Sequence, residues 1–298
     1  MKSFFSKIFS IKNSVDLSRK IITILGIKIK IKTVDIILKD FITTMIAKEV
    51  YSAIEVEKLH SKTFPKFKAC HYNENVAVLG SGPTLKYYNN ELDTINIALN
   101  HTFSLKNYKF TYSFALDSGI FLDWPNYIED IKKSNCINFL GNPLDINANQ
   151  FPEIANSDKY NIYRYYTSNR SGCYGVEFGK IFFKDLEVRP LLDAYSVVFS
   201  ALQFAIYTHP KKLYLIGLDT SNNGHYFSFG GGDGKYLTEN MIKIYKKFKT
   251  FAQIHYPDVE IISVNPVGLK GLFKDVYTSS YINKHPELKN KNAIILKC

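Results

Sequence analysis

The chain is 298 residues long, 46% hydrophobic and 15% aromatic, with 38 basic against 27 acidic residues and a formal charge of +11. That length buries a sizeable core and suits one large or two modest domains. Four widely spaced cysteines (Cys70, Cys136, Cys173, Cys298) without a Cys-x-x-Cys pair exclude a zinc knuckle, a redox motif and a disulfide framework, and fit a reducing cytosol. The richness in Tyr, Phe, Lys, Ile and Asn matches the coding bias of an AT-rich genome and is no functional signal by itself.

The charge is concentrated at the start. Residues 1–32 carry eight basic side chains (Lys2, Lys7, Lys12, Arg19, Lys20, Lys28, Lys30, Lys32) against one acid, Asp16, a local charge of +7 that leaves +4 for the remainder. A body so nearly balanced is not built to bind nucleic acid. Phe4, Phe5, Ile8, Phe9 and Ile11 interleave with Lys2, Lys7 and Lys12, a pattern compatible with a short amphipathic basic helix. Ile27 to Lys32 then alternates Ile and Lys, the period of a strand with one apolar and one cationic face. The apolar run Ile21 to Ile27 is too short to span a bilayer, and no small-residue cleavage site follows an apolar core. These residues suit attachment to an anionic membrane face, where each surface cation adds roughly 1 kcal/mol; they equally suit an edge hairpin with solvated lysines. Apolar residues recurring at three and four predict a connector helix from about Val34 to Leu59, and Pro65 to Asn75 reads as a linker, so that the body begins near Cys70.

Residues 76–86, Val-Ala-Val-Leu-Gly-Ser-Gly-Pro-Thr-Leu-Lys, carry the main signal. Val76 to Leu79 reads as a buried strand, Gly80-Ser81-Gly82 as a tight turn, and Pro83 as the opening of a helix. Free backbone N–H groups and a helix dipole at one point suit a phosphate or another anion. A dinucleotide fingerprint wants Gly or Ala where Leu85 stands, and the Lys-Ser/Thr ending of a P-loop is missing. The anion therefore belongs to neither NAD nor a P-loop nucleotide.

Strands are expected at Ile95–Leu99, Phe110–Leu116, Cys136–Leu140, Leu213–Ile216 and, last, Val259–Val264, with helices at Asp123–Lys133, Leu191–Tyr207 and Leu237–His255. Tyr160 to Tyr174 reads as irregular and aromatic, and Thr220 to Lys235 as a glycine-rich mobile loop. This alternation predicts one Rossmann-like, doubly wound, mainly parallel α/β sheet, whose ligands bind beyond the carboxyl ends of the strands. Ser81 and Thr84 follow the first strand, Asn100 the second, Asp117 and Ser118 the third, Asp219 the fifth and Asn265 the last. Each alone suits a cap or a turn; together they mark one rim. No Asp-x-Asp triplet is present to hold a divalent ion under a diphosphate, so no metal ligands and no cofactor are assigned.

The strand followed by Gly-Ser-Gly-Pro-Thr-Leu-Lys resembles the opening of the bacterial sialyltransferases of glycosyltransferase family 42, whose pattern is a strand and then Gly-Asn-Gly-Pro-Ser-Leu-Lys. Asn100 matches a family strand ending in an asparagine that contacts the CMP-sugar, Asp117 stands where the family has another asparagine, and Ser196 falls in the long helix before Leu-Tyr-Leu-Ile-Gly-Leu-Asp (213–219), which is similar to the family's Leu-Ser-Gly-Ile-Asp. The likeness runs over about residues 74–270, and the basic leader looks like that of lipooligosaccharide and capsule transferases. The resemblance implies a GT-A-like variant of the fold with a mobile lid and a basic N-terminal extension. Residues 1–70 would form the membrane-associating extension with its connector helix, and residues 71–298 the transferase domain. It further implies metal-independent transfer of sialic acid or a related acidic sugar from a CMP-activated donor to a glycan or lipid-linked oligosaccharide, by an enzyme peripheral on the cytoplasmic face of the inner membrane, with a homo-oligomer compatible. Gly80, Ser81, Gly82, Pro83, Thr84, Asn100, Asp117, Ser118, Ser196, Asp219 and Asn265 would hold the donor. The family's lid histidine has no counterpart near Gly234-Lys235; His225 is the nearest candidate base, His101 the next, and Tyr226 a candidate leaving-group hydroxyl. The family's helix arginine has no match either, Asp193 falling near its place and Arg189 four residues earlier. A phosphotransferase or pyrophosphokinase using Asp117 with Asp219, and a non-catalytic partner in polysaccharide assembly, are the alternatives.

Overall fold

A computed structural model describes residues 9–13, 19–24, 27–32, 34–116, 120, 124–143, 157–168, 181–192, 194, 196–221, 224, 226, 235–291 and 293–296. The chain packs as two units, Met1–Glu55 and Val56–Cys298. In the first, β1 (Phe9–Asn13), β2 (Arg19–Ile24) and β3 (Ile27–Lys32) form an antiparallel sheet in the order β1-β2-β3. Phe9 to Asn13 is thus strand, where the sequence suggested a helix; Phe4 to Ile8 lie outside the described residues. Directly paired residues of an antiparallel sheet share a face. The pairs Ile11↔Ile22, Ile22↔Ile29 and Ile24↔Ile27 therefore gather isoleucines on one face, with Lys20 at its margin, and Lys12, Arg19, Lys28 and Lys30 fall on the other. Helix α1 (Val34–Thr63) follows, running past the expected Leu59. No helix among the described residues is long and apolar enough to cross a membrane.

The second unit is built on an eight-stranded, all-parallel sheet: β4 (Asn75–Leu79), β5 (Ile95–Leu99), β6 (Tyr112–Ala115), β7 (Ile137–Pro143), β8 (Ile162–Thr167), β9 (Lys212–Ile216), β10 (Glu260–Val264) and β11 (Lys274–Val276). Its order is β11-β10-β9-β4-β5-β6-β7-β8. The chain steps outward from β4 to β8, then returns to the far side of β4 to lay down β9, β10 and β11. Helices α2 (Tyr127–Lys133), α3 (Val198–Tyr207), α4 (Lys235–His255) and α5 (Ser279–Lys284) accompany it. Four expectations need correction. β8 runs through the aromatic stretch read as irregular, because Ile162, Tyr163 and Tyr165 are buried sheet residues. β11 follows the strand expected to be last. Helix α3 starts at Val198 rather than Leu191, which leaves Ser196 just ahead of it. The supposed linker holds a short 3-10 turn, Phe64–Phe67, whose two phenylalanines are buried in the main core.

Both faces of a parallel sheet need covering, which is why its strands read as unbroken apolar runs. Val76, Val78, Ile97, Leu99, Leu213 and Leu215 face one layer, formed by α3 and α4; Ala77, Leu79, Ile216 and Val264 face the other. Helix α3 is buried at every position, a core helix and not an amphipathic one. The phenylalanine excess has a structural use here. Phe204 of α3 lies 4.8 Å from Phe139, 5.2 Å from Phe114 and 5.1 Å from Tyr112, centroid to centroid, and Phe67 joins at 5.4 Å. Aromatic pairs at such separations add about 0.5–1.5 kcal/mol each beyond area burial.

His60, near the end of α1, is a fully buried polar bolt in this core. Its Nδ1–H faces the carbonyls of Leu186 and Arg189 at 2.9 and 3.1 Å, and its Nε2 accepts from the Tyr166 N–H at 2.8 Å. An acceptor at Nε2 requires the neutral ring, and burial pushes its pKa down from 6.5 to about 4. Between those values the unfolded chain binds a proton that the native chain refuses, so stability falls as the pH drops from 6.5 towards 4. The loss from this one group is about 3 kcal/mol over that window. Urea unfolding between pH 7 and pH 4 is expected to show this slope, and His60→Gln, less stable at pH 7, is expected to lose it; an unchanged slope in the variant assigns the acid sensitivity elsewhere.

Candidate functional site

The order in which strands are laid down reverses between β4 and β9, and such a switch point opens a crevice beyond the strand ends. Here the two loops that follow β4 and β9 are fastened together. The Gly80 N–H donates to Ile216 O at 2.9 Å and the Gly82 N–H to Gly217 O at 2.7 Å. A Cβ on Gly82 would lie 2.6 Å from both Gly217 O and the Asp219 carboxyl carbon, so only glycine allows the approach. Gly217 itself turns through φ +61°. Both Asp219 oxygens accept from Thr84, Oδ2 from its N–H at 2.8 Å and Oδ1 from its hydroxyl. Pro83 opens a 3-10 turn (Pro83–Tyr87), not an α-helix, and the anion at its start is this chain's own Asp219 carboxylate. Burial raises the Asp219 pKa above the ordinary carboxylate range, against the two bonds from Thr84 and the nearby Lys86. The glycine motif is therefore a fastening whose N–H groups at Gly80, Gly82 and Thr84 are already taken, where the sequence suggested an open anion cradle.

A cleft of about 270 Å³ lies over this fastening, lined by Gly80, Ser81, Gly82, Asn100, Ser196 and Asp219 among others. The sequence thus named six of its lining residues. The dipole expected from Pro83 comes from another helix: Ser196, Val197 and Val198 line the cleft at the N-terminus of α3, with the Ser196 hydroxyl 3.3 Å from the Val198 N–H. Opposite it, Asn100 turns through φ +46° at the end of β5, and its buried Oδ1 has no hydrogen-bond partner among the described residues. The Ser221 hydroxyl is likewise buried in the lining without a partner. Both atoms are shut off from solvent and are exceptions to the rule that buried polar groups are paired. Thr220, beside Ser221, holds φ +46°, a costly conformation for a β-branched residue. It is pinned by the loop after β10: Gly268 N–H donates to Asp219 O at 2.9 Å, and a Cβ on Gly268 would collide with Thr220 O. Thr220, Ser221 and, on α4, Met241 and Tyr245 were not singled out from the sequence. The signal for the first two was their place directly after Asp219 in the polar loop; for the α4 pair it was the inward spacing of four.

The remaining candidates sit differently. Thr84 is buried behind the cleft on Asp219. Asn265 (φ +50°) is buried, and its amide group is spent on Thr278, accepting from that N–H at 2.9 Å and donating to its hydroxyl at 3.1 Å. It ties β10 to α5 rather than lining the cleft. Tyr226 donates its N–H to Ser81 O, but its side chain lines a separate pocket. His101 lies in a 3-10 turn, Asn100–Ser104, outside the cleft lining. Arg189 extends over the Phe183 ring at 5.5 Å. Asp117, Ser118, Asp193, His225 and most of the 222–234 loop lie outside the described residues. Among the described residues no group of three His, Cys, Asp or Glu side chains is placed to hold a metal ion.

No protein-family profile matches this chain, and no curated protein matches it in sequence. Similar solved structures include the MAf glycosyltransferase of Magnetospirillum magneticum AMB-1, at 13% identity and a TM-score of 0.44 over 71% of this chain. The match covers 34% of the MAf chain, so this chain spans about a third of that protein. The sialyltransferase CST-II, solved with a trisaccharide acceptor and CMP, aligns at 15% identity and 0.40 over 64% of this chain and 80% of its own. CstII from Campylobacter jejuni with the substrate analogue CMP-3FNeuAc aligns at 13% and 0.42 over 68% and 85%. At such scores the chemistry is read from the site itself.

The fastening makes a direct prediction. Gly82→Ala forces the two loops apart and is expected to cost about 3 kcal/mol, whereas Thr84→Val removes a single donor and costs about 1–2 kcal/mol. Chemical unfolding of the two variants checks the order; an alanine at position 82 without effect would mean that the loops are not locked by contact.

Proposed function

We propose that this chain is a metal-independent glycosyltransferase that moves sialic acid or a related acidic sugar from a CMP-activated donor to a surface glycan or lipid-linked oligosaccharide. The observation that carries the reading is the make-up of the switch-point cleft. It offers dipoles — the α3 N-terminus, the Ser196 hydroxyl and the Asn100 amide — and its one described carboxylate, Asp219, is held on Thr84. Such a lining stabilises the single phosphate of a leaving CMP by hydrogen bonds and a helix dipole. A magnesium-bound triphosphate needs carboxylates free to coordinate, and Asp219 would have to leave Thr84 to serve; this weighs against the phosphotransferase alternative. The sequence resemblance of residues 76–86 and Asn100 points the same way.

In the reaction an acceptor hydroxyl oxygen forms the new bond to the anomeric carbon. The bond from that carbon to the phosphate oxygen breaks, CMP leaves with the electron pair, and the hydroxyl proton passes to a base. His225 is proposed as that base. Its chain neighbours support the choice: Gly224 lines the cleft and Tyr226 is bonded to Ser81. Titration calorimetry with CMP, UDP and ATP, with and without magnesium, is expected to show metal-independent binding of CMP. Magnesium-dependent ATP binding favours the phosphotransferase, and silence with all three the assembly partner. His225→Ala is expected to abolish transfer while CMP still binds; surviving transfer assigns the base elsewhere.

The three-stranded sheet supports a peripheral place on an anionic bilayer. Ile11, Ile24, Ile27 and Ile29 are exposed on one face, Ile27 at 68%. An interfacial element sinks its apolar face roughly 5–10 Å, which sets the opposite cations at headgroup level in a sheet one strand thick. Ile27→Asp with Ile29→Asp is expected to release the full chain from phosphatidylserine vesicles, whereas retention by those vesicles would exclude this face as the docking surface.

A further inference from the structure

A second cavity, of about 310 Å³, shares no lining residue with the cleft; Tyr226, in its lining, donates its backbone N–H to Ser81 O of the cleft. Its walls come from the Pro83–Tyr87 turn with the residues after it, and from those after the Asn100–Ser104 turn. They supply Lys86 and Asn89 on one side, Lys106, Asn107 and Tyr108 on the other, and Tyr226 across the mouth.

These groups share a chemistry. Asn89, Lys106 and Asn107 make no hydrogen bond or ion pair among the described residues, so their donors and acceptors are open. An asparagine amide presents donors and an acceptor side by side, matching the adjacent hydroxyls of a sugar ring. Tyr108 is fixed: its hydroxyl donates to Tyr88 O at 2.6 Å, and its ring stacks on Tyr88 and Phe110 at 6.2 and 5.9 Å. A held phenol gives the apolar face of a pyranose a flat, pre-ordered surface. Lys86 and Lys106 add two cations, and no carboxylate belongs to the lining, although Glu91 is close enough to act on Tyr108. Lys106 makes no ion pair among the described residues and Lys86 lies near Asp219 outside the pocket, so the lining itself carries cations only, which favours a negatively charged guest.

We propose that this pocket takes an acidic sugar residue of the acceptor, bearing a carboxylate or a phosphate, and so holds the acceptor beside the donor cleft. The proposal rests on the transferase reading for its place in the reaction, while the pocket's ligand class stands on the pocket's own residues. Tyr226 then belongs to the acceptor pocket by its lining and to the cleft by its backbone bond to Ser81.

The test uses the full chain labelled with nitrogen-15 at asparagine, titrated with glucuronate, glucose 6-phosphate and glucose. The Asn89 and Asn107 side-chain amide signals, assigned by Asn→Gln variants, are expected to shift with at least one of the two acids and not with glucose. The arm that responds tells carboxylate from phosphate. Lys86→Gln with Lys106→Gln is expected to weaken the acid at least tenfold while CMP affinity by calorimetry stays within twofold. Equal shifts with glucose, an undiminished acid affinity in the double variant, or no shift with either acid overturns the proposal. An intact pocket response in a chain that does not bind CMP would instead strike the donor reading and leave the pocket's ligand class standing.

Discussion

The close approach of the loops after β4 and β9 is the constraint on which the site depends. A sheet whose order of strands reverses leaves a gap between neighbouring strand ends, and this chain closes the bottom of that gap with backbone. Gly82 N–H on Gly217 O at 2.7 Å needs two residues without a Cβ in the way. The buried Asp219 carboxylate, gripped by Thr84, then stops the loops from sliding. Burial alone would make that carboxylate unstable; two donors from one residue offset the cost. With the floor fixed, the α3 N-terminus, Asn100 and Ser221 are held at set positions around it.

Much of this was legible in the sequence because the signals were local. A run of four apolar residues ending in glycine names a strand and its turn, and Asn100 or Asp219 at a strand end names a rim. What escaped depends on partners distant in the chain. The Gly80–Gly82 turn reads as an anion cradle until Gly217 and Asp219 are seen to occupy its N–H groups, and they lie more than 130 residues away. Asn265 carries the same strand-end signal as Asn100, yet Thr278 absorbs its amide. β8 was hidden because tyrosines alternating with Arg164 read as a polar aromatic loop, and only packing against β7 and the core makes them a strand. α3 was extended too far forward because 191–197 is also largely apolar, while Leu191 in fact pairs with Thr167.

Charge is distributed so that each region asks for a different kind of contact. The N-terminal sheet gathers most of its isoleucines on one face and most of its cations on the other by strand period, with Ile21 and Lys20 as the exceptions. The cleft presents dipoles and hydroxyls with its only described carboxylate engaged by two hydrogen bonds from Thr84. The neighbouring pocket presents two lysines among amides. Dipoles at a helix terminus stabilise charge that appears during a reaction without binding the resting ligand too firmly. Lysines grip a charge that is permanent. That division is the one the proposed donor and acceptor roles call for.

Backbone strain sharpens the assignment of the rim. Left-handed residues occur at both ends of the sheet: Asn73 and His209 shortly precede β4 and β9, as Asn100 and Asn265 follow β5 and β10. Asparagine tolerates that conformation, so its presence alone marks a turn. Thr220 is different, since a β-branched side chain there costs on the order of 1–3 kcal/mol. The cost persists because Gly268 closes on the Thr220 carbonyl and binds Asp219 O, leaving the segment no room to relax. A loop that only needed to turn would use glycine or asparagine at 220. Holding a threonine there instead sets the direction of the next residue, Ser221, whose buried hydroxyl has no partner in its own chain among the described residues. The strain fixes the path of the segment that carries Ser221 along the cleft lining.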